Sequence, residues 1–258
     1  MKTEDFRRKF DFQESGSLFI GVERERHIVD KDGVIVPTAA KVLEALENGH
    51  FGYELSACQI EDKTDPIRLE NLEEALLQND ETLGQVLREL SLGTSHQEVA
   101  PADMPLDVYP DPTGRYQRIV ENMPIETLRA ACRVIGTHIH VGMPDHETAL
   151  RVYNQVINYT DSLVSIGDGS DGERMRIYRQ MAPDATPPYY RDWDDFYSVA
   201  CAKGFDQDPR KCWTLIRISV HGTIEFRMFG TTPVLKVIVC WARHCFNLCE
   251  KALKLVVV

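Results

Sequence analysis

Pairs of polar side chains spaced two residues apart recur in segments of this sequence that have the composition of strands. The pairs are Glu23 with Glu25, Gln59 with Glu61, His138 with His140, and Glu225 with Arg227. On a strand, residues i and i+2 point to the same face, about 6.6 Å apart. If the strands are neighbours, one face of one sheet carries carboxylates, imidazoles and a guanidinium. Because an unpaired carboxylate taken out of water is costly, divalent cations are expected on that face.

The acidic residues indicate which cation is expected. Glu23, Glu25, Glu54, Glu61 and Glu225 offer hard oxygen ligands, with one or two histidines added. This mixture suits Mg²⁺ or Mn²⁺ better than Zn²⁺. Mg²⁺ commonly completes its coordination with substrate phosphates, so the sequence predicts ATP as a substrate. Neither a GxxxxGK[ST] loop nor a GxGxxG turn before a helix is present, so metal ions and arginines would have to hold the nucleotide.

Length and composition narrow the class of protein. With 258 residues and 43% apolar composition, we expect a single catalytic domain over residues 1–258. The formal net charge of −11 argues against nucleic acid or an anionic membrane as a partner. The N-terminal residues do not resemble a secretory signal, and the seven cysteines form no CxxC pair. We therefore expect a cytoplasmic protein with reduced thiols.

Hydrophobic periodicity predicts an α+β fold. Alternating β-branched residues predict strands at 18–29, 53–63, 136–143, 213–220 and 223–229, the last two joined by a tight turn at His221 and Gly222. Spacing near 3.6 predicts helices at 38–48, 69–91, 121–134, 145–165, 191–203 and 232–255. This order does not repeat regularly enough for a doubly wound parallel sheet. It favours an antiparallel sheet with helices over one face.

Two polar segments are predicted as long loops. The first, 167–190, is rich in Gly, Pro and Asp and contains Arg174, Arg176 and Arg179. Long loops of this composition are usually functional or disordered, and guanidinium groups suit carboxylates and phosphates. We expect at least one of these arginines, with Arg179 preferred, to contact substrate. The second polar loop is 93–118.

Six short motifs, taken in order, resemble one known family. They are Gly21-Val22-Glu23-Arg24-Glu25, Glu54-Leu55 followed by Gln59-Ile60-Glu61, Gly93-Thr94-Ser95-His96, Arg115-Tyr116-Gln117, Gly136-Thr137-His138-Ile139-His140-Val141-Gly142 and Gly222-Thr223-Ile224-Glu225-Phe226-Arg227. From about residue 18 to the end, the chain resembles the carboxylate-amine ligases of the glutamate-cysteine ligase type 2 family. The resemblance implies a glutamine-synthetase-like core, in which a curved antiparallel sheet forms a funnel for ATP and metal ions. It also implies a reaction in which ATP phosphorylates a carboxylate, usually the γ-carboxylate of glutamate, and an amine such as cysteine displaces the phosphate.

The resemblance also implies roles for individual residues. Glu23, Glu25, Glu54, Glu61, His138 and Glu225 would hold two or three Mg²⁺ ions. Arg227 and Arg179 would act in catalysis, with Arg227 stabilising the transferred γ-phosphoryl group. Arg174, Arg217 and Arg227 would contact the nucleotide, and His140, Gln59, Arg115 and Arg179 the other substrates. The expected partners are small molecules, namely ATP, a carboxylate and an amine, and homo-oligomerisation stays open.

Other interpretations remain open at this stage. Taken alone, Glu23 and Glu25 fit a solvated edge strand, and Glu225 with Arg227 fits a buried ion pair. The chain departs from the family pattern at 167–172 and at Gly230, where relatives usually carry other residues. A non-catalytic nucleotide- or metal-binding module of the same fold is therefore an alternative. A metal-dependent hydrolase built on His138 and His140 is another, although it leaves the acidic pairs without a role.

Overall fold

The protein is built on one antiparallel sheet of seven strands. The computed structural model describes residues 2–46 and 49–256. The strands are β1 (Ile20–Val29), β2 (Phe51–Tyr53), β3 (Gln59–Lys63), β4 (Gly93–Ser95), β5 (Thr137–Gly142), β6 (Ile216–Ser219) and β7 (Thr223–Phe229). Their order is β2-β3-β1-β5-β7-β6, and β4 pairs with the end of β1. All of these pairings are antiparallel, so the predicted α+β class with an antiparallel sheet is confirmed.

The described part of the chain contains ten α-helices. They are α1 (Thr3–Arg7), α2 (Ala39–Ala45), α3 (Leu72–Glu89), α4 (Arg115–Val120), α5 (Ile125–Arg133), α6 (His146–Val156), α7 (Thr160–Gly167), α8 (Glu173–Met181), α9 (Trp193–Lys203) and α10 (Leu235–Val256). The long helix α10 contacts α6, α3 and strand β5. No helix among the described residues is both long and apolar enough to cross a membrane.

Alternation along the strands, interrupted by an irregularity between β5 and β7, divides the sheet into two faces. Apolar residues such as Val22, Ile139 and Phe226 lie on the helix-covered face and are 0–1% exposed. Their neighbours in sequence, including Glu23 and His138, point the other way because successive strand residues alternate between faces. The same period that builds the core therefore gathers the polar pairs on the opposite face.

The helix-covered face also holds a buried ion network. Asp62 accepts from Arg24 Nη2 at 2.6 Å and from Arg26 Nε at 2.9 Å. Arg26 also reaches Asp80 on α3 at 2.6 Å, and Asn79 donates to Asp62 at 3.2 Å. In the strand register, Arg24 pairs with Asp62 directly beside the like-charge pair of Glu25 and Glu61. The ion network on the helix-covered face thus favours the strand register that places Glu25 opposite Glu61 on the polar face.

Several predicted elements differ in detail from the structure. The predicted strand 53–63 is two strands, β2 and β3, and the predicted helix 145–165 is α6 and α7 joined by a 3₁₀ turn at Ile157–Tyr159. The predicted helix 38–48 is Ala39–Ala45, and residues 47 and 48 lie outside the described residues. So do residues 1, 257 and 258 of the predicted domain 1–258, which stays a prediction.

The two predicted loops contain regular structure. Residues 173–181 form α8, because Met175, Ile177 and Tyr178 give the segment a buried side. The interpretation of 167–190 as a continuous loop was therefore wrong. Within 93–118, Gly93–Ser95 forms β4 and α4 begins at Arg115. The hairpin of β6 and β7 turns at His221 and Gly222 as predicted, with Gly222 at φ +69°.

Candidate active site

A cavity of about 840 Å³ opens on the polar face of the sheet. It is lined by ten of the predicted site residues: Glu23, Glu25, Glu54, Glu61, Arg115, His138, His140, Arg217, Glu225 and Arg227. The acidic and histidine side chains arrive from β1, β3, β5 and β7, with Glu54 from the segment that joins β2 to β3. Residues separated by up to about two hundred positions in sequence therefore meet in one place, as the parity of the strands predicts.

Glu23 lies at the centre of two groups that could each hold a cation. Among the described residues, ligand atoms lie within 4.8 Å of one another in the set Glu23, Glu61 and His138 and in the set Glu23, His140 and Glu225. Glu23 Oε2 lies 3.3 Å from His138 Nδ1, and its Oε1 lies 3.5 Å from His140 Nε2. Burial would raise the pKa of Glu23, but the two histidines hold it well below its ordinary value.

Negative charge is in excess at Glu54 and Glu61. Burial, followed by the nearby Glu25 and Glu23, raises the pKa of Glu54 to about 8, although a hydrogen bond with Glu61 opposes this. Burial and the surrounding carboxylates Glu23, Glu54 and Glu25 raise the pKa of Glu61 well above its ordinary value. Ionising both groups at neutral pH therefore requires a positive charge that the nearby side chains do not fully supply.

Glu225 sits in the opposite electrostatic environment. Its Oε2 accepts from Arg217 Nε at 2.6 Å and its Oε1 accepts from Arg227 Nη1. Burial would raise the pKa of Glu225, yet the two arginines lower it. Burial disfavours the charge of Arg227, but Glu225 and Tyr178 outweigh this and raise the pKa of Arg227. The ion pair considered from sequence is present, and it lies inside the cavity.

These donors fit a hard divalent cation. Each set combines two carboxylates with one imidazole, which suits Mg²⁺ or Mn²⁺. His140 Nε2 faces Glu23 Oε1 at 3.5 Å, so the imidazole and the carboxylate of the second set lie side by side. Because the excess negative charge lies at Glu54 and Glu61, the set with Glu61 gains more from a cation than the set with Glu225, which two arginines already neutralise.

The close carboxylates are expected to destabilise the metal-free protein and to strengthen the binding of a cation, and a single variant tests both effects. Glu61 lies directly across the strand pair from Glu25, and like charges in that position are destabilising. In a chelator, we expect Glu61→Gln to raise the free energy of unfolding by up to about 1 kcal/mol. Mn²⁺ should then raise the melting temperature of the variant less than that of the wild type, because the variant binds it more weakly.

The control for this prediction is Glu70→Gln, which changes an exposed carboxylate. It should leave both melting temperatures within the error of the measurement. A Glu61→Gln protein that is less stable than the wild type in chelator, with an undiminished response to Mn²⁺, would contradict the assignment.

Three predicted site residues do not line the cavity. Gln59 is 3% exposed and its side-chain amide donates to the backbone oxygen of Cys132 at 2.8 Å, so it braces the fold. Arg179 is exposed and lies outside the cavity lining. Arg174 is 2% exposed, because its guanidinium is committed to backbone carbonyls. The structure therefore does not bring Gln59, Arg174 and Arg179 into the cavity where their substrate, nucleotide and catalytic roles were predicted.

Arg174 instead holds two strand ends together behind the cavity. It donates to the carbonyls of Ile135 at 2.7 Å and Met228 at 2.9 Å, and to that of Arg227 at 3.3 Å. A Cβ atom at Gly136 would overlap its guanidinium, which explains the glycine there. The side chain of Arg174 thus holds the backbone of Arg227 in place on the side away from the cavity.

Replacing Arg174 by lysine tests how much its three hydrogen bonds contribute to the free energy of unfolding. A single ammonium cannot reach three carbonyls spread over two strand ends, so at least one buried acceptor is left unpaired. We expect Arg174→Lys to lower the free energy of unfolding by about 1–2 kcal/mol, measured by urea denaturation. The matched control is Arg176→Lys on the same helix, which changes an exposed ion pair and should have almost no effect. Equal effects of the two changes would show that the three contacts contribute little.

Sequence reasoning missed several residues that line the cavity. They include Tyr116, Arg118, Ile119, Met123, Lys211, Trp213 and His221. Tyr116 lay within a motif already singled out, and His221 lay in the predicted hairpin turn. Trp213 carried no signal of its own, because it stands in an irregular segment just before β6 and reaches the cavity through tertiary packing.

The fold and the site together define an open antiparallel sheet with a carboxylate-rich cavity, and comparison with known proteins agrees with this class. The family model described as glutamate-cysteine ligase family 2 matches residues 19–254. The chain belongs to this family of glutamate-cysteine ligase-like proteins. The resemblance inferred from the six motifs is thereby confirmed.

Individual relatives are more distant and longer. A protein of Gloeobacter violaceus, provisionally named glutamate–cysteine ligase 2, is 31% identical over 137 residues, which cover 48% of this chain and 36% of the relative. A protein of Thermobifida fusca with the same provisional name is 24% identical, covering 88% of this chain and 62% of the relative. The chain therefore spans about one to two thirds of the length of these relatives.

A solved structure shares the fold. The bifunctional glutathione synthetase from Pasteurella multocida superposes with a TM-score of 0.61 at 15% sequence identity. The match covers 98% of this chain and 41% of that protein. At this level of identity, the similarity supports the architecture of the sheet and helices.

Proposed function

We propose that this chain acts as an ATP-dependent carboxylate-amine ligase. The γ-carboxylate of glutamate is the proposed acyl donor, and an amine such as cysteine is the proposed acceptor. The observation that carries the proposal is the cavity in which carboxylates and histidines from four strands meet the Arg217–Glu225–Arg227 group. Family membership supports the same assignment.

The cavity has carboxylates that would hold metal ions and, apart from them, the guanidinium of Arg227, and both are suited to the phosphates of ATP. The carboxylates centred on Glu23 and Glu61 would hold Mg²⁺ or Mn²⁺, which would neutralise the phosphates and polarise the transferred group. Arg227 is held by Glu225 through Nη1, and within the described chain its Nε has no hydrogen-bond partner. Although burial disfavours the charge of Arg227, Glu225 raises its pKa, so a positive charge lines the cavity. Such a preorganised charge is suited to stabilising the transferred phosphoryl group.

The proposed reaction has two steps. A carboxylate oxygen of the donor attacks the γ-phosphorus of ATP, and the bond from that phosphorus to the ADP oxygen breaks. The amine nitrogen then attacks the acyl carbon, and the bond to the phosphate oxygen breaks with its electron pair. The products are an amide, ADP and phosphate. An oxygen of a carboxylate is a poor leaving group, whereas phosphate is a good one. Phosphorylating the carboxylate therefore divides one difficult step into two easier ones.

The two alternatives differ in what they require of the cavity. A hydrolase built on His138 and His140 needs both imidazoles at one metal centre, whereas each set among the described residues contains one histidine. A non-catalytic module needs only to bind nucleotide and metal, and the same cavity could serve it. Turnover separates this second alternative from the ligase. Small-molecule substrates, homo-oligomerisation and a cytoplasmic location stay predictions.

The proposal is tested by measuring ADP formation from ATP and Mg²⁺ with purified protein. Carboxylates including glutamate and a panel of amines are added one at a time, and parallel reactions contain a chelator. We expect ADP formation that requires metal and rises when the correct carboxylate is present. If ATP and Mg²⁺ bind but no carboxylate produces ADP, the binding-module alternative replaces the ligase.

A further inference from the structure

Several residues that line the cavity are apolar or weakly polar and have no role in the charged groups described above. We call this surface the apolar wall and define it by Met123, Thr127, Ala131, Met181 and Trp213, all of which line the cavity. Thr127 and Ala131 are four residues apart on α5 and therefore share one face of that helix. Ligand cavities commonly use such surfaces for the apolar part of a ligand.

Helix α8 links the α5 part of the apolar wall to Trp213. Met181, at the end of α8, packs against the buried cluster of Ala130, Val134 and Ile177 that joins α8 to α5. On the same helix, the hydroxyl of Tyr178 donates to the backbone oxygen of Trp213 at 3.0 Å. Helix α8 thus connects the two ends of the wall and fixes the segment that carries Trp213.

Trp213 places the apolar wall next to Arg227. Cζ of Arg227 lies 5.5 Å from the centroid of the Trp213 ring, within the range of a cation–π contact. Arg227 is 7% exposed, whereas Trp213 is 46% exposed. The indole therefore lies against the guanidinium, and both side chains line the cavity. A ligand group that contacts Trp213 must lie close to Arg227.

The contact between Trp213 and Arg227 indicates which substrate binds to the apolar wall. In ATP, the base is separated from the γ-phosphoryl group by the ribose and two further phosphates. A group beside Arg227 is therefore at the reacting end of the nucleotide, where the amine must approach the acyl carbon. Apolar surroundings also lower the pKa of an amine, which favours its neutral and nucleophilic form.

We propose that the apolar wall binds the carbon body of the amine substrate, so that the acceptor is a primary amine with an apolar body. This inference rests on the proposed ligase function. In the step concerned, the nitrogen lone pair forms the bond to the acyl carbon, and the bond from that carbon to the phosphate oxygen breaks. The phosphate leaves with the electron pair and takes up the proton that the nitrogen releases.

The first test compares acceptors of equal size and different polarity. n-Butylamine and 2-methoxyethylamine differ by one methylene replaced with oxygen, and hydroxylamine has no carbon body. The wild type should prefer n-butylamine over 2-methoxyethylamine in kcat/KM. We expect Trp213→Ala to lower kcat/KM for n-butylamine about tenfold more than for hydroxylamine, the scale of losing an apolar contact. Met123→Ser should act in the same direction.

The matched control is Ile125→Ser, which changes an apolar residue of α5 that is 54% exposed and lies outside the cavity lining. It should lower kcat/KM for the three acceptors equally, if at all. Equal losses for n-butylamine and hydroxylamine in Trp213→Ala and Met123→Ser would overturn the inference.

The second test measures binding without turnover. Of the three tryptophans, Trp193 is 2% and Trp241 is 8% exposed, so Trp213 is the one that a ligand can reach. With glutamate, Mg²⁺ and a non-hydrolysable ATP analogue present, n-butylamine should change the tryptophan emission of the wild type and not that of Trp213→Phe. If instead Trp213→Ala weakens ATP binding in calorimetry as much as it lowers kcat/KM for n-butylamine, the wall belongs to the nucleobase and the inference fails.

The two proposals fail in different ways. Hydroxylamine should trap the acyl phosphate of the wild type as a hydroxamate. Absence of hydroxamate with every carboxylate tested would overturn the ligase function and the amine subsite together. Hydroxamate formation without any preference for n-butylamine would overturn the amine subsite alone.

Discussion

Replacing Arg227 by methionine is expected to lower kcat by about a hundredfold or more while ATP binding changes little, the scale of losing one preorganised charge-stabilising group. The physical reason is that the charge on the transferred phosphoryl group develops in the transition state, so a residue that stabilises it affects kcat more than ground-state binding. Glu225 keeps its bond from Arg217 at 2.6 Å in the variant, which limits the damage to the site. Calorimetry with Mg²⁺ and ATP and steady-state ADP formation measure the two quantities.

A matched control for Arg227 lies on the same cavity. Arg118 lines the cavity and donates to the backbone oxygen of Thr113 at 2.9 Å. Arg118→Met removes the same charge from the exposed helix α4 and should lower kcat far less than Arg227→Met. An Arg227→Met protein that loses ATP affinity and kcat in equal proportion would place Arg227 among the ground-state ligands instead.

Replacing Glu23 by glutamine is expected to have the largest effect on metal binding. Glu23 is common to both candidate sets, and His138 and His140 both lie beside it. Loss of a residue that supports a ligand commonly costs 10–100-fold in metal affinity, so loss of a shared ligand should cost about 100-fold or more in the Kd for Mn²⁺. Calorimetric titration of the nucleotide-bound protein with Mn²⁺ measures this effect.

The control is Glu98→Gln, because Glu98 is also a buried carboxyl group. Glu98 is 8% exposed and accepts from the backbone nitrogen of Gly169 at 2.9 Å, outside the cavity lining. Its change should leave the Kd for Mn²⁺ within about twofold, the scale expected when no ligand or supporting contact of the metal is lost. Unchanged Mn²⁺ affinity in Glu23→Gln would show that the cation sites are centred elsewhere.

Much of the fold and of the candidate site followed from the period of two along the strands. That period places Glu23, His138 and Glu225 on one face and their apolar neighbours on the other, and it needs no knowledge of tertiary packing. The structure brings these three residues together in one cavity. Their functional roles remain predictions, to be decided by the variants above.

Residues outside the strands were not predictable in the same way. The side chain of Arg174 is buried because it donates to the carbonyls of Ile135 and Met228. Both residues are far away in sequence, so this contact could not be predicted. Composition identified 167–190 as a loop because its ends are rich in Gly and Pro, and this hid the short buried side of α8. Trp213 reaches Arg227 only because β6 and β7 are paired. Long-range contacts of this kind leave no local pattern.

The central claim is that a carboxylate is phosphorylated by ATP, and the transfer of an isotope tests it most directly. Glutamate labelled with oxygen-18 in its γ-carboxylate is incubated with the protein, ATP, Mg²⁺ and hydroxylamine, and the released phosphate is analysed by mass spectrometry. If an acyl phosphate forms, one labelled oxygen passes from the carboxylate to the phosphate that leaves. ADP formation with glutamate and hydroxylamine present but with no label in the phosphate would contradict the account.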